Sequence, residues 1–405
     1  MISRADIVGR VQEWGLAEHV VEKDYILGWV LWGIASDATL GQSWIFKGGT
    51  CLKKCYVETY RFSEDLDFTI LPGGPLSPDE VLPLLRGVLQ RVGEESGIDF
   101  TVGEPRLRIR PSGTAAEGRI YYRGPRNTPG ATSVKLDLSA DETVIRPTAS
   151  RTIAHPYPDA LPATDTARCY SFEEVFAEKL RAMAQRGRPR DLYDIVNLFR
   201  REELRPHAAL MREVLVAKCE AKSIPLPTAE TIASAPHRDE LESEWANMLG
   251  HQLPALPPLE QFIGELPALF AWLHDEAQSP ALPAIPTEPN EDNTWTPPAT
   301  VTIWEQSVPL EPVRFAGTNH LCIDLTYEGS VHRIQPYSLR RTHAGDLILH
   351  ALRSDTNEHR AYRVDRMQRV QVTTEPFRPL QAIELSPSGP LTMGHRQARS
   401  AHDSP

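Results

Sequence analysis

The sequence predicts a mixed α/β core carrying a helical lobe, followed across a proline-rich segment by a separate all-β module. Three observations carry this reading. Apolar residues recur at three- and four-residue steps in some segments and alternate strictly with polar ones in others. Prolines 280, 283, 286, 289, 297 and 298 crowd a polar stretch that suits a semi-rigid linker. The basic residues also change along the chain, with no lysine beyond Lys222 and arginine alone thereafter. The expected divisions are a core over 1–205, a lobe over 206–277, a linker over 278–311, a β module over 312–380 and a disordered tail over 381–405.

Each element has its own signal. Ile7, Val8, Val11 and Trp14, then Tyr25, Ile26, Trp29 and Val30, give residues 1 to about 40 a helical period. Trp44-Ile-Phe is a short apolar run that ends in Lys47-Gly-Gly-Thr50 and reads as strand, tight turn and helix start. Leu66, Phe68 and Ile70 alternate with Asp65, Asp67 and Thr69, and Val134, Leu136 and Leu138 alternate with Lys135, Asp137 and Ser139. Both are half-buried strands with carboxylates on the non-core face. Ser171 to Arg201 turns helical, with Ser171 and Glu174 as a capping box. Helical patches at 210–219, 241–249 and 262–273 form the lobe, and five short strands between His320 and Thr373 form the β module.

Composition narrows the function classes. With 41% hydrophobic and 24% charged residues, the 405-residue chain is an ordinary globular protein of two or three domains. The net charge of −11 belongs to one segment, since residues 223–300 hold twelve acids and one arginine, so bulk charge does not exclude an anionic partner. Five scattered cysteines without a C-x-x-C pair encode neither a disulfide framework nor a zinc ribbon, which suits a reducing cytoplasm. Cys51 and Cys55, one helical turn apart, are expected to pack within their helix because no nearby Cys or His completes a metal set. No export signal or membrane span is expected.

The chemistry lies in the core. Asp65 and Asp67, at i and i+2 of a strand, project to one face and can share a hard cation such as Mg2+, and Asp137 on the second strand supplies a third carboxylate. An isolated D-x-D is as readily a solvated strand face. The context adds weight: Gly48, Gly49 and Thr50 open a helix whose amides and hydroxyl suit a phosphate, with Lys47, Lys53 and Lys54 around the turn. Strand, G-G-T turn, helix and D-x-D strand, in that order, form the skeleton of a nucleotidyltransferase site.

The run from Phe46 to Tyr56, FKGGTCLKKCY, continuing into Arg61-Phe-Ser-Glu-Asp-Leu-Asp-Phe68, resembles the AbiEii family of nucleotidyltransferase toxins, a branch of the polymerase-β-like superfamily. The likeness extends through Val134–Ser139, Glu174–Arg186 and Pro189–Ile195. The resemblance implies a polymerase-β-like fold in which Asp65, Asp67 and Asp137 bind Mg2+ or Mn2+. It implies that Gly48, Gly49, Thr50, Lys54 and Lys179 hold the NTP and that Arg190, Asp191 and Asp194 complete the site. It further implies transfer of NMP to an RNA acceptor, the tRNA 3′ end. The product would be a growth-arresting toxin of a type IV toxin–antitoxin or phage abortive-infection system, countered by a separate antitoxin. A nucleotide-sensing regulator with an inactive core and a small-molecule nucleotidyltransferase are the alternatives.

A second resemblance covers Arg314 to Phe377, which is similar to WYL domains, SH3-like β modules, except that Leu347-Ile-Leu replaces the eponymous tripeptide. It implies an anion-, nucleotide- or nucleic-acid-binding surface made of Arg333, Tyr337, Arg340, Arg360, Arg363 and Arg366.

Overall fold

The structure, a computed structural model, describes residues 1–57, 61–130, 132–163, 165–202, 204–275, 282–295, 300–301, 310–385 and 392–393. It divides into two compact units, Met1–Pro280 and Ala281–Pro405.

In the first unit the Ser3 side chain caps α1 (Arg4–Trp14), which ends at Gly15 in the left-handed conformation (φ 67°). The almost wholly buried α2 (Glu18–Ala35) and the short α3 (Leu40–Ser43) lead into β1 (Trp44–Lys47). The glycine turn then forms α4 (Gly48–Cys51), which continues as a π-helical turn over Leu52–Tyr56. After β2 (Asp65–Ile70) come α5 (Pro78–Ser96), β3 (Arg106–Ile109), β4 (Ala115–Tyr122), β5 (Thr132–Ser139), β6 (Ala149–Thr152) and β7 (Thr166–Cys169). The seven strands make one sheet in the order β3-β4-β5-β2-β1-β7-β6. Central β2 runs parallel to β5 and antiparallel to β1. Leu66, Phe68, Leu136 and Leu138 are buried while Asp65, Asp67 and Asp137 are half-buried, as the alternation predicts.

The helical stretch from Ser171 is two helices, α6 (Phe172–Arg186) and α7 (Pro189–Arg200), parted at Gly187 (φ 60°). Ser171 caps α6 by accepting from the Glu174 amide, but Glu174 does not close the expected box. Its buried carboxylate instead accepts from the amides of Ile145 and Arg146 and pairs with Lys218 at 2.7 Å.

The expected separate lobe is a continuation of this unit. Helices α8 (Ala208–Ala221), α9 (Ala229–Ala233), α10 (His237–Leu249), α11 (Leu259–Ile263) and α12 (Leu266–Leu273) fold back onto α6 and α7. Trp272 stacks on Phe176 at 5.8 Å and Phe262 on Tyr193 at 5.4 Å, so aromatic burial joins lobe to core.

The second unit includes β8 (Thr300–Val301), α13 (Glu311–Thr318), β9 (Leu321–Tyr327), β10 (Ser330–Arg341), β11 (Leu347–Arg353), β12 (His359–Arg363), β13 (Met367–Pro376) and β14 (Thr392–Met393). Strands β9 to β13 form an antiparallel sheet in the order β12-β11-β10-β9-β13, the β module expected from sequence, and α13 precedes them where strand alone was expected from 312. Two expectations are corrected. Part of the linker belongs to this unit: Ile285 joins Cys322, Tyr337, Leu352 and Phe377 in its core, and Glu291 is buried against His350 at 2.6 Å. The start of the tail is also built in, for Leu385 is buried and the Glu384 carbonyl accepts from the Leu339 amide. Residues 386–391 and 394–405 of the expected disordered tail lie outside the described residues.

Candidate active site

Strand register assembles the site. On one rung, Lys47, Asp67, Asp137, Glu117 and Arg108 stand side by side across β1, β2, β5, β4 and β3. On the next rung of the same face, Asp65, Lys135, Arg119 and Arg106 run across β2, β5, β4 and β3. Residues in register share a face, so three carboxylates from two adjacent strands converge beside a basic strip that ends at the sheet edge.

The convergence has an electrostatic cost. Burial, followed by the Asp137 and Asp65 charges and opposed by Lys47 and Lys179, pushes the Asp67 carboxyl up to about 6. Burial and Asp137 also raise Asp65, against Lys135 and Arg190. Asp137 is bonded by Arg110 at 2.6 Å and by Lys135 at 2.7 Å. Three hard oxygen-donor side chains on one face, two of them resisting ionisation, fit a divalent cation, which would relieve the repulsion that cations at the rim only partly offset.

The glycine turn is locked against this face. A β-carbon on Gly48, whose φ is 81°, would lie 2.3 Å from an Asp67 carboxylate oxygen, and one on Gly49 would lie 2.5 Å from the Arg61 guanidinium. Thr50 is fully buried and donates its hydroxyl to the Asp65 backbone carbonyl at 2.5 Å, so it fixes the D-x-D strand rather than facing outward to the expected phosphate. Lys54 does not join the carboxylates either. It is buried in an ion pair with Asp24 at 2.8 Å, and Tyr157 donates to the same carboxylate.

Lys179, Asp191 and Asp194 come together in a buried network. Lys179 bonds Asp194 at 2.8 Å and Asp191 at 3.4 Å. Arg61 grips Asp194 with two 2.6 Å bonds, and Arg186 holds Asp191 at 2.7 Å. Burial alone would raise the Asp194 carboxyl, but Arg61 and Lys179 overcome it and hold it near 2. Lys179 also acts on Asp67, and Arg190 on Asp65, so this network borders the carboxylate face.

Sequence reading missed several neighbours. β3 and β4 supply Arg106, Arg108, Glu117 and Arg119, and Glu142 pairs with Lys47 of the glycine turn, which acts on Asp67, while Arg186 joins the Lys179 network. Arg106-Leu-Arg-Ile-Arg110 does alternate, but its polar positions are cationic and its apolar ones few, so the strand signal was weak. A groove of about 890 Å³ runs along Arg106, Arg108, Arg110 and Arg119, and a cleft of about 410 Å³ is lined by Asp65, Lys23, Arg126 and Lys135.

On the β module, the residues of the expected surface are engaged within their own unit. Tyr337 is in the core, and its hydroxyl accepts from the Leu380 amide. Arg333 is held by Asp324 and Glu375, Arg340 by Glu291 and Glu384, Arg360 by Glu358, Arg363 by Asp346 and Asp365, and Arg366 by Glu328. Each arginine of the set is thus paired with an acid of its own unit. Among the described residues no helix is long and apolar enough to cross a membrane.

Residues 29–277 match the family model for the AbiEii nucleotidyl transferase toxin of the type IV toxin–antitoxin system. No curated protein matches the sequence. Among solved structures, the chain is similar to MenT4, a nucleotidyltransferase toxin from Mycobacterium tuberculosis H37Rv, at 22% identity and a TM-score of 0.44, over 68% of this chain and 91% of that one. The matched family span is more than half of the chain and contains the glycine turn, the D-x-D strand and the Lys179 helix. The chain therefore belongs to the AbiEii family of nucleotidyltransferase toxins of type IV toxin–antitoxin systems and is an NTP-dependent nucleotidyltransferase.

Proposed function

We propose that the enzyme transfers NMP from an NTP to the 3′ hydroxyl of an RNA, with tRNA as the acceptor, and arrests growth until a separate antitoxin counters it. The observation that carries this reading is the pair of rungs: clustered carboxylates next to a strip formed by Lys135, Arg119 and Arg106. The acids suit the reacting phosphate, and the bases, continued by Arg108 and Arg110 on the edge strand, suit an acceptor backbone.

Asp65, Asp67 and Asp137 would hold divalent metal, Mg2+ or Mn2+. When bound, the metal supplies positive charge to the NTP phosphates and lowers the pKa of the attacking hydroxyl. Asp137 orients that hydroxyl and takes up its proton once Arg110 and Lys135 yield. Lys179, with Arg186 and Arg190 beside it, holds the triphosphate as the α-phosphate bond to the acceptor oxygen forms and the bond to pyrophosphate breaks. Asp191, Asp194 and Arg61 keep Lys179 in position, and Gly48 leaves room for the Asp67 carboxylate.

The full chain, incubated with each α-labelled NTP, Mg2+ and either total tRNA or a metabolite pool, tests the proposal. Label is expected in the tRNA fraction. Label in small molecules alone would favour a metabolite-modifying enzyme, and no incorporation under any condition would favour a nucleotide-sensing regulator.

A further inference from the structure

Cys51 and Cys55 do not pack alone, as the sequence suggested. Cys51 ends α4 and Cys55 follows one turn later, while Cys169 ends β7, whose parallel pairing with β1 puts Cys169 in register with Phe46. The three sulfurs lie within 4.8 Å of one another, and all three residues are buried. The partner is invisible in sequence because 114 residues separate it from Cys55 and only the β1–β7 pairing brings it there.

From this geometry we infer that Cys51, Cys55 and Cys169 form a binding site for one thiophilic d10 cation, Zn2+ or Cu+. Metal–sulfur bonds of about 2.3 Å place the sulfurs of such a site roughly 4 Å apart, within the spacing seen. The donor set is soft sulfur alone, which selects Zn2+ or Cu+ over the hard cation suited to the carboxylate face. A trigonal three-sulfur site is complete for Cu+. Zn2+ needs a fourth ligand, and the Tyr56 hydroxyl, 3.7 Å from the Cys169 sulfur, is in reach.

The three thiols differ: hydrogen bonds from Cys51 and Cys55 pull Cys169 down, with help from Tyr56 and the Arg151 guanidinium, while burial pushes Cys51 well up and the bond with Cys169 does the same to Cys55. Arg151 also stacks over the Tyr56 ring at 4.8 Å, and Lys54 acts on Cys55. Cations on both sides of the cluster would offset part of the negative charge of three thiolates around one metal.

The site would act as a clamp. Cys51 directly follows Thr50, whose hydroxyl holds the Asp65 carbonyl, and Cys169 directly precedes Tyr170, whose hydroxyl meets Thr69 at 2.6 Å. A bound ion therefore ties the glycine turn to β7 behind the carboxylate face, without touching substrate. This inference is independent of the proposed acceptor and would stand if the enzyme modified another molecule.

The test uses the full chain refolded under reductant with Zn2+, Cu+ or Cd2+ and then gel-filtered, since buried thiols load as the protein folds. One metal ion per chain is expected to be retained, with a thiolate-to-Cd2+ charge-transfer band in the ultraviolet. Cys169→Ser should lose both signals, whereas Cys322→Ser, at a buried cysteine of the other unit, should keep both. If Cys169→Ser fails to fold, Cys51→Ala and Cys55→Ala carry the same expectation, with circular dichroism as the folding check. Retention of Zn2+ alone would support the four-ligand form and retention of Cu+ alone the trigonal one. A folded wild-type chain that retains none of the ions, or a folded variant at one of the three cysteines that binds as the wild type does, would overturn the inference.

Discussion

The two units use charge in opposite ways. In the second, every arginine of the expected binding surface is neutralised within the unit: Arg333 by Asp324 across the β9–β10 ladder, Arg360 by Glu358 two residues away, Arg363 by Asp346 and Asp365. In the first, Asp67 stands next to Asp137 across β2 and β5 and Arg106 next to Arg119 across β3 and β4, while Asp65 faces Lys135 and Arg108 faces Glu117. Paired charges make a solvated surface, worth little to stability and little to a partner. Clustered like charges hold repulsion that Arg110 and Lys135 offset only in part, and a cation or an anionic ligand can relieve the rest, so clustering rather than charge count marks the candidate site.

The contrast breaks first at Asp67. Asp67→Ala is expected to lower nucleotidyl transfer by about a thousandfold, since it removes one of the three carboxylates proposed to share a metal. Label-transfer rates at saturating NTP check it, and near wild-type activity would remove Asp67 from the metal set. Lys179→Ala should cost about a hundredfold in transfer and, unlike Asp67→Ala, also about 2 kcal/mol of stability, because it strips a cation from buried Asp191 and Asp194. Chemical denaturation run beside the kinetics separates the two effects, and lost stability with unchanged transfer would make Lys179 purely structural.

A smaller effect sharpens the comparison. Replacing Arg106 and Arg108 together by Ala should weaken RNA affinity by about tenfold and flatten its salt dependence by about one unit of slope per arginine, while the KM for NTP stays put. The smallest effect belongs to the second unit. Arg333→Ala and Arg366→Ala are expected to change neither RNA affinity nor its salt slope measurably, because their charges are already spent on neighbouring acids. A loss equal to that of the Arg106 and Arg108 pair would erase the distinction between the units.

Much of the first unit was legible in sequence because its signals are local. The alternation in Asp65–Ile70 and Val134–Ser139 put three carboxylates on solvent-side strand faces, and the glycines of the turn marked close backbone approach. What escaped depends on pairing between distant segments. Glu117, Arg119 and Arg106 enter the site only because β3 and β4 add to the edge of β5, and Cys169 reaches Cys51 only through β7. Burial was equally hidden: Thr50 and Lys54 follow the glycines as phosphate ligands would, yet each is turned inward to a protein partner. In the second unit the strand pattern was plain, but Tyr337 and Ile285 look like surface and linker residues until the core that holds them is seen.

The central proposal is that the carboxylates crowded around Asp67 would hold a divalent metal, and thermal melts of the wild type and Asp67→Asn with and without Mg2+ test it most directly. A carboxyl raised to about 6 in the folded protein contributes stability below the ordinary carboxyl range and loses it as pH rises to 6, with no further loss above that. At neutral pH without divalent metal, Asp67→Asn should therefore be more stable than the wild type, by about 1 kcal/mol once the shift is discounted for a side chain that keeps some solvent contact. Saturating Mg2+ should reverse the order, stabilising the wild type by about 2 to 3 kcal/mol at a hundredfold excess over Kd and leaving the variant where it was. Equal Mg2+ shifts in the two proteins, or a variant that melts lower than the wild type without metal, would contradict the account.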